Sequence, residues 1–212
     1  MEFISNLVNE YAHLITSNED EILNEINIST NATHPLAHML SGRIQGKFLQ
    51  FISQIKQPIN VLDIGTFTGY SAICLTAGLK KNGQVHTIEL RKEDAETAQQ
   101  YFIKSNKQNQ INLYIGNALE IIPTLHLKWD LIFIDADKTA YIDYYEMLIP
   151  QMNENGLIIA DNVLFHGLIL DEVIKNKSAK AIKEFNNHVL NDARTEQVLL
   201  TIRDGLLLIR KK

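Results

Sequence analysis

One cysteine, one tryptophan and four prolines are all that this 212-residue chain contains of those types. The lone Cys74 cannot form an internal disulfide, which excludes a stapled secreted scaffold and agrees with a reducing compartment. No apolar run approaches the roughly 18 residues a membrane helix needs. The start, Met1 to Asn6, carries neither the basic nor the apolar segment of a secretory leader, so a cytoplasmic location is expected. Positive charge is in deficit, with 20 Lys and Arg against 25 Asp and Glu and a net charge of −5. That balance argues against tight binding along a nucleic-acid backbone, although a local basic patch stays open. There is no internal repeat, no G-x-G-x-x-G and no Cys/His set with zinc spacing.

The patterning fits one α/β domain, a helical cap over residues 1–56 followed by a core over 57–212. Phe3, Leu7, Tyr11 and Leu14 share one helical face, with Ile4, Val8 and Ile15 beside it. Ser17 to Asp20 reads as a capping box opening a short helix through Ile22, Leu23 and Ile26. Residues 29–38 read as a loop. A helix over about 40–55 turns Ile44, Phe48, Phe51, Ile52 and Ile55 inward and ends at Gln57-Pro58. Strands over 59–64, 84–89, 111–115, 129–135 and 156–161 then alternate with helices over about 69–80, 92–107, 117–124, 140–152 and 171–190. That alternation implies parallel strands with right-handed crossovers. The tail breaks it: strands over 196–202 and 206–210 flank Arg203-Asp204-Gly205, a hairpin signal. An antiparallel pair therefore closes a mostly parallel sheet.

Chemistry collects at three strand ends, where open α/β sheets bind ligands. The run Phe133-Ile134-Asp135-Ala136-Asp137-Lys138 takes an apolar strand into two carboxylates and an amine, which is costly near a core unless they are paired or metal-bound. A second strand ends in Asp161-Asn162. A third enters Asp63-Ile64-Gly65-Thr66-Phe67-Thr68-Gly69, whose glycines let backbone pass close to a ligand. Asp63 in that turn would repel phosphate and suit an ammonium group, and Glu89, ending the next strand, is placed to grip ribose hydroxyls. A ribose and a cationic amino-acid end without phosphate describe S-adenosylmethionine. Asp135, Asp161 and Asn162 offer only oxygens, as Mg²⁺ prefers. The plainer alternatives are a turn at Asp161-Asn162, a helix cap at Asp135 and a solvated Lys138. A positive neighbourhood, metal included, would depress the Lys138 amine and leave it free to act as a base.

These marks, Asp-x-Gly-x-x-x-Gly-Tyr-Ser at 63–71, Phe-Ile-Asp-Ala-Asp-Lys at 133–138 and Asp-Asn-Val-Leu at 161–164, resemble the cation-dependent class I O-methyltransferases of the catechol and caffeoyl-CoA type, compact bacterial members above all. The resemblance runs from Met39-Leu40-Ser41-Gly42 to the final hairpin. It implies a Rossmann-like class I methyltransferase fold with a seven-stranded sheet and helices on both faces. It implies a divalent ion, Mg²⁺ or else Mn²⁺ or Ca²⁺, on Asp135, Asp161 and Asn162, with Lys138 as general base and Asp135 against the substrate hydroxyl. Glu89 would bind the ribose of S-adenosylmethionine. Asp63, Gly65, Thr66, Ser71, Ala118, Asp135 and Asp137 would line the rest of that pocket, Met39 and Ser41 would cover the methionine end, and His166 would touch substrate. A homodimer is implied as well. Asp63 stands where Glu is often found, Phe165 where Trp is common, and Arg203 where Gly is frequent.

The expected reaction is metal-assisted methylation of one of two adjacent hydroxyls on a catechol-like phenol. A hydroxylated uridine in tRNA is the alternative acceptor, with Lys175, Lys177, Lys180 and Lys183 as its patch or as a solvated helix face. An NAD-linked dehydrogenase is disfavoured by the missing glycine motif and the carboxylate in the turn. A silent binding protein leaves the ligand-type residues without a purpose.

Overall fold

The computed structural model describes residues 5–212. Its seven strands are β1 (Asn60–Ile64), β2 (Gln84–Glu89), β3 (Ile111–Ile115), β4 (Trp129–Ile134), β5 (Met152–Asp161), β6 (Thr195–Leu200) and β7 (Leu206–Lys211), and they form one sheet in the order β3-β2-β1-β4-β5-β7-β6. The first five pair in parallel, while β7 runs antiparallel to both β5 and β6.

Side chains alternate across a strand, and the sequence alternates to match. Leu62, Ile64, Ile132 and Ile134 face one core with Trp129, Tyr141, Tyr145 and Phe185. Val61, Leu131 and Phe133 face the other with Leu23, Leu49 and Phe102. Helices α7 (Tyr141–Leu148) and α8 (Lys177–Leu190) cover the first core. Helices α2 (Glu21–Thr33), α3 (Gly42–Lys56), α4 (Tyr70–Leu75) and α5 (Lys92–Lys104) cover the second. The remaining helices are α1 (Asn6–Ile15) and the four-residue α6 (Ala118–Ile121).

Several sequence expectations change. Asp20, not Ser17, caps α2, its carboxylate accepting from Leu23 N at 2.9 Å. The supposed loop is helical as far as Thr33, because Ile26 and Thr30 pack inward and outweigh the poor propensities of that stretch. On α3 the buried residues are Gln45, Gly46, Leu49 and Ser53, whereas Phe51 and Ile55 are exposed; the stripe is rotated because α3 packs closely on Tyr70 at Gly46 and on Leu75 and Gly78 at Ser53. Helix α8 starts at Lys177, where Asn176 caps it, rather than at 171. Strand β6 stops at Leu200, so the hairpin turn is wider than its Asp-Gly suggests. Leu7, Val8, Tyr11, Leu14 and Ile15 on α1 are all exposed, and Phe3 and Ile4 lie outside the described residues.

Candidate active site

The carboxyl ends of β1, β2, β4 and β5 open onto one side of the sheet. Between β1 and β4 the approach is so close that a side chain at Gly65 (φ +106°) would place its Cβ 2.0 Å from the backbone oxygen of Asp135. Only glycine fits, and the turn that leaves β1 is thereby pressed against the turn that leaves β4. Phe67 follows at φ +49°, its N–H donating to Glu89 Oε2 at 2.7 Å.

A cleft of about 440 Å³ lies over these ends, lined by Met39, Gly65, Phe67, Glu89, Asp135 and Tyr144 among others. Ala118 and Asp137 belong to the same wall, and Asp137 also caps the turn at Thr139. A small recess continues past Met39, Ser41, Gly65, Thr66, Ser71 and Asp135. Glu89 accepts one backbone N–H on each oxygen, from Phe67 and from Arg91 at 3.0 Å, and keeps lone pairs for a ligand.

Asp63 does not reach the cleft surface. It is closed off from solvent and accepts from Thr87 Oγ1 at 2.6 Å and from Ser71 Oγ at 3.1 Å. Burial pushes its carboxyl up to about 7, the two hydroxyls oppose that, and the charges of Asp135 and Glu89 add to it. Ser71, which lines the recess, is the donor that links it to Asp63, and Thr66 joins the same buried chain through Thr87 at 2.6 Å.

On the β4 and β5 side, Lys138 Nζ donates to Asp135 Oδ1 at 2.8 Å and to Tyr141 Oη at 3.0 Å. Burial favours loss of the ammonium proton, but the charge of Asp135, then Tyr141 and Asp161, overrides it and holds Lys138 well above the usual lysine range. The depressed amine expected from sequence presupposes a positive neighbourhood, metal included; the side chains around Lys138 by themselves act the other way. Asp161 is buried; it accepts from Gln45 Nε2 at 2.6 Å and from Asn162 N at 2.6 Å. Burial, and next the charge of Asp135, raises its carboxyl to about 7. Among the described residues no three of His, Cys, Asp or Glu converge on a metal position. Asn162, the third oxygen donor expected from sequence, sits at φ +57°, and its side-chain amide donates to Asp204 Oδ2 at 3.3 Å.

Beside Asn162 a second pocket, of about 570 Å³, opens between α1, α2 and the turn before β7. Its walls are mostly polar, among them Asn9, Asn31, His38, Arg43, His166 and Asp204. His166 is well exposed there, its backbone N–H held by Asp204 Oδ1 at 2.6 Å.

Sequence reasoning missed Gln45, Tyr141 and Asp204. Gln45 is not among the residues expected to face inward on α3, and only the rotated stripe buries it. Tyr141 ties the two strand ends together, its hydroxyl lying 3.1 Å from both Ile134 O and Asp161 O. Asp204 read only as a turn residue.

The sheet order and the site at its carboxyl edge define the class I methyltransferase fold. The chain matches the O-methyltransferase family model over residues 13–212 and belongs to that family. It is 36% identical over 146 residues to a catechol O-methyltransferase of Niastella koreensis, a match spanning 67% of this chain and 66% of that protein. A probable caffeoyl-CoA O-methyltransferase of Dictyostelium discoideum is 32% identical over 179 residues, 82% of this chain and 78% of its own length. Among solved structures, an SAH-bound methyltransferase of Podospora anserina superposes with a TM-score of 0.91 at 26% identity, covering 100% of this chain and 99% of that one. An O-methyltransferase of Bacillus cereus in complex with SAH does so with a TM-score of 0.87 at 28% identity, covering 97% of each chain.

Proposed function

We propose that this O-methyltransferase moves the sulfonium methyl of S-adenosylmethionine to one of two adjacent hydroxyl oxygens on a catechol-like small molecule. The observation that carries this is the double position of Asp135. It lines the cleft that contains Glu89, and its carboxylate faces Lys138 and the buried Asp161. Methyl donor and acceptor oxygen would meet there.

In this reading Glu89 takes the ribose hydroxyls, Gly65 and Ala118 admit the nucleoside, and Asp137 lies at the rim. Met39, Ser41, Thr66 and Ser71 enclose the methionine end, with Asp63 behind Ser71 complementing its ammonium. The donor set of Asp135, Asp161 and Asn162 fits a hard divalent ion such as Mg²⁺, Mn²⁺ or Ca²⁺. It is all oxygen, and it holds two nearby carboxylates of which the buried one is costly to ionise without a compensating cation. Bound there, such an ion supplies charge that acidifies a substrate hydroxyl and holds its neighbour in place. Once the charges of Asp135 and Asp161 are balanced, Lys138 loses what keeps it protonated, and its amine becomes the nearest base. The hydroxyl proton passes to Lys138 or to a water beside it, the oxygen bonds the methyl carbon, and the sulfonium leaves as a thioether. The protein's contribution is alignment and charge stabilisation.

The acceptor pocket is the polar one beside Asn162 and His166, and the names of the relatives support a phenolic acceptor. Nothing favours a hydroxylated uridine: Lys175, Lys177, Lys180 and Lys183 are exposed on or near α8, where Lys180 pairs with Glu184. No helix among the described residues is long and apolar enough to cross a membrane. The exposed apolar stripe of α1 supports a homodimer.

Methyl transfer to caffeic acid with Mg²⁺ and with EDTA, alongside calorimetry of SAH binding, tests the reading. Turnover abolished by EDTA is the expected result. SAH binding without turnover would move the acceptor elsewhere, and absence of SAH binding would sink the assignment.

A further inference from the structure

We propose that His34 and Asp94 form a latch that keys the N-terminal helices to the cofactor cleft, and that both are positioning residues for the cofactor. The inference rests on the assignment of that cleft to S-adenosylmethionine.

His34 ends α2 and begins the short segment that carries Met39 and Ser41, two walls of the cleft and its recess. Leu36 N donates to His34 Nδ1 at 3.1 Å, which requires an unprotonated Nδ1. The ring hydrogen is then on Nε2, 3.0 Å from Asp94 Oδ1, so His34 donates to Asp94. The same imidazole stands edge-on to Phe67, with ring centres 4.6 Å apart and planes at 89°.

Asp94 lies in the first turn of α5, where the helix dipole favours a carboxylate. Its Oδ2 is 2.6 Å from Arg91 Nη2. The Arg91 guanidinium in turn sits 5.5 Å from the Phe67 ring centre, and its Nε is 3.7 Å from Glu89 Oε1. One buried carboxylate thus joins a residue of the cap to a residue of the cleft rim. Met39, Phe67, Glu89 and Arg91, all cleft-lining, are tied together through it.

The latch is not what docks α2 as a whole. Leu23 and Ile26 are buried on the core, and Thr30 Oγ1 donates to Thr68 Oγ1 at 3.2 Å. Breaking the His34–Asp94 bond leaves those contacts in place and frees the segment behind them. The expected consequence is a cleft that opens more often and releases its ligand faster.

His34→Ala and His34→Gln are compared by SAH calorimetry, stopped-flow SAH dissociation and amide hydrogen exchange. Loss of a hydrogen bond to a carboxylate predicts SAH binding weaker by about tenfold in His34→Ala, chiefly through faster dissociation. kcat/KM for S-adenosylmethionine should fall far more than kcat. His34→Gln, whose amide N–H reaches the same carboxylate, should recover most of the affinity. Exchange at Met39 and Leu40, whose N–H groups close the turns after His34, should quicken in His34→Ala before any cofactor is added. Wild-type affinity in His34→Ala, or His34→Gln as weak as His34→Ala, overturns the latch. If the wild-type protein binds no SAH, the cofactor assignment fails instead, and the latch stands or falls on the exchange at Met39 and Leu40.

Discussion

The side-chain amide of Asn162 donates to Asp204 Oδ2 at 3.3 Å. A carboxylate can only accept, so the NH₂ of Asn162 faces Asp204 and its carbonyl oxygen faces away. Asp204 thereby presents the one neutral oxygen of the candidate metal set, and holds the backbone N–H of His166 with its other oxygen. Partners of this kind typically change metal affinity 10- to 100-fold when removed. Asp204→Ala should weaken Mn²⁺ binding, measured by titration calorimetry, by about that factor, with SAH affinity close to wild type.

Lys138→Met keeps the length of the side chain and removes the amine from between Asp135 and Tyr141. In stopped-time assays kcat should fall by about 10²- to 10⁴-fold, the range of a lost acid–base group. SAH affinity should change little. An unaltered kcat would remove Lys138 from the chemistry.

Asp63 makes stability depend on pH in a definite direction. Its carboxyl titrates at 3.8 when unfolded and is pushed up to about 7 in the fold by burial. The native state therefore binds this proton more tightly, and the contribution is full below about pH 4 and lost as pH rises through about 7. The difference is up to roughly 4 kcal/mol. Asp63→Asn lacks the titration, so its stability relative to wild type should rise between pH 4 and 7 in parallel urea melts. A constant offset across that window would contradict the assignment.

Gly65→Ala would place a methyl 2.0 Å from the backbone oxygen of Asp135 at a positive φ. Neither the strand nor the turn can yield without moving a whole edge of the site. The melting temperature should drop by an amount corresponding to about 3 kcal/mol or more, and SAH binding should be lost with it.

Leu14 on α1 is 76% exposed, and Leu7 is 78% exposed on the same helix. If this stripe is covered by a second copy, Leu14→Asp should shift the protein from dimer to monomer in light scattering while leaving its circular dichroism spectrum intact. A monomeric wild type would refute the homodimer.

The sequence by itself determined the alternation of strand and helix, the antiparallel closure and the three chemical strand ends. Each is a local signal: period-two apolar runs, Asp-Gly punctuation, and carboxylates where burial makes them expensive. Tertiary structure alone decided how those ends are wired. Gln45 meets Asp161 across 116 residues and His34 meets Asp94 across 60, separations over which no local periodicity operates. The same holds for charge. Asp63 reads as part of the Gly-rich turn, yet it is buried in β1 and tied to Thr87 and Ser71, and Lys138, three residues from Asp135 in sequence, feels the charge of Asp161 only through the fold. Pattern sets the alternation along a strand, but the inward stripe of α3 and the electrostatic state of a side chain depend on whatever the packed chain places around them, and that environment exists only once the sheet has formed.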